Sequence, residues 1–330
     1  MTGSIAARST LTRFAQDGSG LGVLTGAIGL AALVSWLSAA HPVWLPVWAP
    51  WDFSWSEFLA AVLAVGWYLR GVALSPPDER PGIWRQAAFL IGIAGFYAVL
   101  LTHFEYVAQH MFFLNRLQHA VMHHFAPFLV ALSWPGAMLL RGMPAPLARL
   151  FRHPAIGRIM DVIQQPAIAA VLFVGLIYLW LIPPVHFVAM LNPFLYDVMN
   201  WSMVLDGLFF WCLVLDPRPS PPARISIGAR LLVTILVMFP QIAMGARLTF
   251  ATRSLYSYYD LCGRLLPGIN ALADQHIGGV IVWIPSAMMS SVAFLLILNH
   301  LRMHEDQMPA PPPPREGAPA AVLSSRWTGR

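Results

Sequence analysis

The sequence predicts an all-α protein, a polytopic membrane helix bundle of about eight transmembrane helices with both the N and C termini cytoplasmic. Composition points there first. Of 330 residues, 58% are hydrophobic and 11% charged, and the mean hydropathy is +0.63, well outside the range of soluble domains. Second, a spanning helix needs about 20 mostly apolar residues, and eight such stretches occur, roughly 21–40, 56–75, 86–104, 117–140, 166–183, 197–215, 229–250 and 277–301. Third, the basic residues are distributed unevenly over the intervening loops. These features divide the chain into a cytoplasmic N-terminal tail (1–20), a transmembrane helical domain (21–304) and a disordered, proline-rich cytoplasmic tail (305–330).

The first apolar stretch follows Arg8 and Arg13, as a secretory signal would, but its length favours an uncleaved span. It runs into a segment carrying Trp44, Trp48, Trp51 and Trp55, an aromatic belt of the kind found at a membrane surface. Pro76-Pro77, Pro217 with Pro219, and Pro221-Pro222 mark cytoplasmic turns, whereas Pro127, Pro240 and Pro285 fall inside spans. Intramembrane prolines free carbonyls and often kink helices, and neighbouring helices also satisfy them without any functional role. No internal repeat supports an inverted-repeat transporter.

All 20 basic residues are arginine. With the amino terminus inside, only Arg116, Arg247, Arg253 and Arg264 lie outside, and the other 16 are cytoplasmic, as the positive-inside rule requires. The sequence pI near 9.6 therefore reflects topology and anionic lipid, not a nucleic-acid partner, and the expected location is the bacterial plasma (inner) membrane. The two cysteines, Cys212 and Cys262, fall on opposite sides and cannot pair. The absence of a CxxC or CxxxC pair argues against a thioredoxin-like or soluble copper-thiolate mechanism.

This topology places His41, His103, His110, His119, His123, His124, His186 and His276 at or beyond the outer face, and only His153, His300 and His304 inside. An ionisable side chain within a span is costly unless paired, hydrated or bound. In a helix His119 and His123, four apart, share a face and suit two ligands of one metal. His124 points about 100° away, toward another helix or a backbone carbonyl. Imidazole suits copper or zinc, and Met111 or Met122 adds soft character suited to Cu(I). His110, Glu105 and the pair Asp274 and His276 lie at the same side. The competing reading is interfacial, hydrogen-bonded histidines without metal, with Asp274 capping the eighth span.

At these residues the sequence resembles the CtaG family of cytochrome c oxidase assembly factors. Gln118-His119 followed by Pro127 is similar to the family's HMxQH…AP block. Gly245-Ala-Arg-Leu-Thr-Phe with Leu255-Tyr256 and Tyr259 resembles its pre-loop block, and Asp274-Gln275-His276 through Trp283 and Pro285 resembles its DQxxxGxxxW block. The family's first histidine falls on Asn115, and its paired histidines near the sixth span fall on Tyr196 and Asn200. The resemblance implies a non-enzymatic role in maturing a copper-containing oxidase. It also implies copper as the metal handled and an oxidase subunit or copper chaperone as partner. The metal ligands expected are His119, His123, His110, His276 and Asp274, supported by Glu105, Gln118, His124, Met122, Tyr256 and Gln275. The alternative is a membrane transporter or permease for a metal ion or small solute. Against it, the inner halves of the spans are poor in acidic and imidazole residues. A haem b protein needs imidazoles from facing helices, and only the fourth span carries several.

The topology is tested with reporter fusions. Fusions of alkaline phosphatase at residues 155 and 310 should be inactive, and activity from either overturns the assignment of the arginine-rich side to the cytoplasm.

Overall fold

The structure is a computed structural model that describes residues 2–306, with side chains described for residues 20–303. The proline-rich tail therefore lies outside the described residues beyond Asp306. Helix α1 (Thr2–Ala40) carries an apolar window from Gly20 to Ala40. Helix α2 (Trp55–Leu74) opens at Ser54, whose hydroxyl accepts from the Glu57 amide at 3.5 Å, an N-cap. Helix α3 (Ile83–Leu100) is followed by the short α4 (His103–Ala108), capped by Thr102. Next come α5 (Phe112–His119), a π-helical turn (Ala120–Phe125) and α6 (Ala126–Ser133), then α7 (Gly136–Gly142) and α8 (Ala145–Phe151).

Helices α9 (Pro154–Ile163), α10 (Pro166–Leu181), α11 (Pro183–Leu191) and α12 (Pro193–Val214) each begin on proline. The missing N–H costs nothing in a first turn, and the ring fixes a helical φ. Helix α13 (Ile227–Thr249) starts at Ser226, α14 (Tyr258–Cys262) is one short turn, and α15 (Ala271–Asp306) completes the bundle. Among the described residues there is no strand.

Among the described residues, six helices are long and apolar enough to cross a membrane, and eight spans result if each of two bent pairs counts as one. The eight stretches expected from sequence fall on these helices and pairs. Two of them are not straight. The fourth bends by 76° between 112–133 and 136–142, and the fifth by 69° between 154–163 and 166–181. The first bend has a local cause. Trp134 precedes Pro135, which disfavours the helical region for it, and Trp134 adopts φ 52.

The two ends of the bundle are chemically distinct. At one, arginines tie the loops together. Arg141 donates to Glu79 at 2.6 Å and to Ser75 Oγ at 2.5 Å, Arg218 forks onto Asp216 at 2.9 and 2.7 Å, and Arg224 pairs with Asp161. The exposed pairs among these, Arg141 with Glu79 and Arg224 with Asp161, contribute only about 0–1 kcal/mol each, so their main effect is to fix loop geometry. At the other end, the tryptophan-rich segment folds onto α4. The Trp51 amide donates to Leu101 O at 3.0 Å, Tyr97 OH to Trp48 O at 3.1 Å, and the Trp51 and His103 rings lie 4.3 Å apart.

Glycines set the closest helix approaches. Gly245 faces the Trp283 ring, and Gly279 faces the backbone of Thr249 and Gly245, which brings α13 and α15 together as small residues do in membranes. Gly71 on α2 abuts the carbonyl of Met138 on α7, so an added Cβ would meet backbone that cannot rotate away. Gly71→Ala should cost about 1–3 kcal/mol and lower the unfolding midpoint in detergent. Gly22→Ala, where a Cβ meets open space, should not, and equal midpoints for the two variants would refute the close α2–α7 contact.

Candidate functional site

The site is built around a proline. Pro127 has no N–H, so the His123 carbonyl four residues earlier loses its helical donor. The Trp211 indole from α12 supplies one, Nε1 to His123 O at 3.3 Å, and Gly207, one turn earlier on α12, lies directly against the same carbonyl. The preceding turn widens, with the Ala126 amide bonding back to Val121 O, and residues Ala120–Phe125 are π-helical. Such turns cost geometry and occur frequently at functional sites. This one carries both His123 and His124.

His123, fully buried, places Nε2 3.1 Å from Asp206 Oδ2 on α12, and Nδ1 3.4 Å from His124 Nε2. His124 Nε2 in turn lies 3.1 Å from Ser286 Oγ on α15, whose own hydroxyl proton goes to Val282 O at 2.8 Å. With that proton committed, the single His124 Nε2–H is shared between Ser286 Oγ and His123 Nδ1, and His123 Nε2–H donates to the carboxylate, the tautomers that this network assigns. The His123 ring stacks on Phe173 at 4.3 Å, and Phe173 on Phe210 at 3.8 Å. His123 lies eleven residues into its span, roughly 16 Å along the helix axis and so near the middle of a bilayer. This corrects the expectation that His123 and His124 sit at or beyond the outer face. Their paired, buried setting inside the bundle removes the need for interfacial water.

His119 is one turn closer to the start of α5 and 5% exposed, and neither ring nitrogen has a hydrogen-bond partner. It lines a cavity of about 20 Å³ with Arg116, His123, His124, Met203 and Ser286. His119 and His123 thus share a face, as their spacing predicts. His124 reaches the same cavity because the wider turn changes the angular step between residues.

The remaining expected site residues are elsewhere. His110 Nδ1 is 2.7 Å from Tyr106 O, and His276 Nε2 is 2.7 Å from Ala251 O. Asp274, fully buried, accepts from the amides of Phe112 and Phe113 at 3.0 and 2.8 Å and pairs with Arg264. It caps a helix, but α5 and not its own. Gln275 accepts from the Leu255 amide at 2.7 Å, and Tyr256 donates to Leu181 O at 2.9 Å while stacking on Phe112. Gln118 donates to Val99 O at 2.8 Å, and its Oε1 receives Asn115 and Tyr196 at 3.4 and 3.3 Å. Met122 is fully buried in the apolar core. Glu105, in α4, is pushed up to about 9, first by burial and then by the carboxylates of Glu57, Asp52 and Asp197.

Among the described residues no group of three or more His, Cys, Asp or Glu side chains is disposed to hold a metal ion. The expected five-ligand set is therefore not assembled: His110, His276 and Asp274 are engaged by backbone groups, away from the cavity that His119 and His123 share. As arranged, these residues do not form a complete copper site.

What the structure does bring together is the three sequence blocks. Asp274 caps the helix of the first block, Gln275 holds the Leu255 end of the second, and Gly279 packs on Gly245 and Thr249. Residues 66–303, which contain all three, match the family described as cytochrome c oxidase caa3 assembly factor (Caa3_CtaG). The chain belongs to this family. It is also 26% identical over 238 residues to an uncharacterized protein of Mycobacterium bovis and to one of Mycobacterium tuberculosis, covering 67% of this chain and 34% of each relative. A Mycobacterium leprae protein is 24% identical over 237 residues, covering 68% of this chain and 35% of its own length. The chain thus spans about a third of the length of these relatives. No solved structure matches.

Within this Caa3_CtaG chain, three participants were not singled out from sequence: Asp206, Ser286 and the position of Arg116 inside the bundle. Asp206 had a detectable mark, since an acidic residue in the middle of an apolar stretch flags itself. Ser286 had none. Because Asp274 joins three segments, Asp274→Ala should lower stability by about 3–5 kcal/mol, the cost of breaking a buried ion pair. Thermal unfolding in detergent checks this, and an unchanged midpoint would refute the capping role.

Proposed function

We propose that this chain assists the maturation of a copper-containing terminal oxidase at the bacterial inner membrane, acting by docking and presentation without turnover. Its tryptophan- and histidine-bearing end faces the periplasm in this reading. The observation that carries it is the family match over residues 66–303. The orientation is supported by the 16 of 20 arginines that it leaves on the cytoplasmic side. The partner is an oxidase subunit, or a copper chaperone delivering to one. Where copper enters, the partner supplies its ligands, because the described residues of this chain assemble no group of three or more side chains able to hold a metal ion.

The chain of polar groups from Asp206 through His123 and His124 to Ser286 is the feature that favours a transporter instead. Below it the path closes. His123 stacks on Phe173, which belongs to an apolar cluster with Phe128, Phe210 and Trp211, and ions do not cross such packing without a hydrated route.

Cells lacking this protein should keep normal oxidase transcripts and lose active, copper-loaded cytochrome oxidase, with partial rescue by added copper. Full oxidase activity in a deletion strain at limiting copper would overturn the maturation reading.

A further inference from the structure

Arg116 is 3% exposed and sits one turn above His119 on α5. Its guanidinium donates to Asn115 Oδ1 and lies 5.2 Å from the Phe112 ring centroid, while Nε has no partner. None of the ion pairs among the described residues includes it. The buried carboxylates Asp274 and Asp206 are committed, Asp274 to Arg264 and two amides, and Asp206 to His123. A guanidinium does not shed its proton in a protein, so a full positive charge stands in a low-dielectric interior without a counter-charge, which is expensive. Beside it is His119, equally buried, with both ring nitrogens unpartnered, one of which carries a proton in the neutral ring. Residues three apart on a helix are surface neighbours. Both side chains line the cavity of about 20 Å³, enough for roughly one water-sized occupant.

We propose that Arg116 and His119 form a buried site for one small monovalent inorganic anion of halide size, held in the outer half of the bundle. Its donors are the Arg116 Nε–H and the His119 N–H. A water molecule would satisfy the same donors but leave the charge unbalanced, whereas a halide does both. The cavity is too small for a phosphate or an organic carboxylate. The cationic guanidinium also makes the cavity unfavourable for a bare metal cation, in keeping with the incomplete ligand set around His119.

The test uses the purified full-length chain in detergent, so it is independent of the oxidase reading. Equilibrium dialysis with radiolabelled chloride should show one retained chloride per chain, displaced by bromide. Replacing chloride by gluconate at equal ionic strength should lower the unfolding midpoint, because a ligand of the folded state stabilises it. In Arg116→Gln both effects should be lost, and in His119→Gln chloride affinity should fall several-fold. Arg247→Gln, which removes an exposed arginine, should keep both. No retained chloride in the wild type overturns the proposal, as does an equal loss in Arg247→Gln. If Arg116→Gln does not fold, the wild-type stoichiometry and bromide displacement decide. Stoichiometric Cu(I) bound through His119 in the presence of chloride would also overturn it.

Discussion

The half of the bundle around the start of α5 depends on the Asp274 carboxylate. Helix α5 begins with amides that no earlier turn can satisfy, and in a membrane there is no water to take them. Asp274 takes those of Phe112 and Phe113 while Arg264 balances its charge. A single side chain thereby fixes where the fourth span starts relative to the eighth. Everything below follows that register: the Gln118 layer, the π turn, and the contacts of His123 and His124 with α12 and α15. Neighbouring Gln275 and Gly279 then bring the segment 245–255 into the same assembly.

A second constraint comes from Pro127. Removing one donor from a helix is ordinarily a defect, but here the freed carbonyl is met by Trp211 and approached by Gly207. The widening that goes with it turns His124 into the cavity beside His119 and His123. Polar groups then run in sequence from Asp206 to Ser286, each with a defined donor or acceptor role, inside packing that is otherwise aromatic. Buried networks of this kind rigidify when every member is satisfied, and around this cavity Arg116 Nε, both ring nitrogens of His119 and His124 Nδ1 are left without a partner.

Much of the fold was legible because the membrane imposes a length: each apolar stretch of about 20 residues became a span or a bent pair. The segregation of Arg141, Arg218 and Arg224 from Trp48, Trp51 and His103 was legible for the same reason, since charge and aromatic belts follow the bilayer. The bends were less so. Pro135 sat inside an apolar run that hydropathy reads as continuous, and only the left-handed Trp134 shows where the axis turns. At the site, the shared face of His119 and His123 followed from spacing, but the assumed α-helical step put His124 elsewhere. A π turn of six residues leaves no mark in hydrophobic periodicity. Asp274 was expected either as a ligand or as a cap of its own helix. That it caps a helix 162 residues away is a tertiary fact with no local trace.

The bend at Trp134 has a mechanical meaning. Helices α5 and α6 are clamped above by Asp274 and turned sharply below, where Gly142 at the end of α7 lies against α2 and receives Arg70. A rod held at both ends resists sliding along its axis. The remaining freedom is torsional, and it is concentrated where the hydrogen-bond ladder is already irregular, between Ala120 and Phe125. Twisting there would swing Arg116 and His119 together relative to Asp206, working against the bonds from the Phe112 and Phe113 amides to Asp274. The fourth span is thus better suited to act as a torsion element than as a plunger.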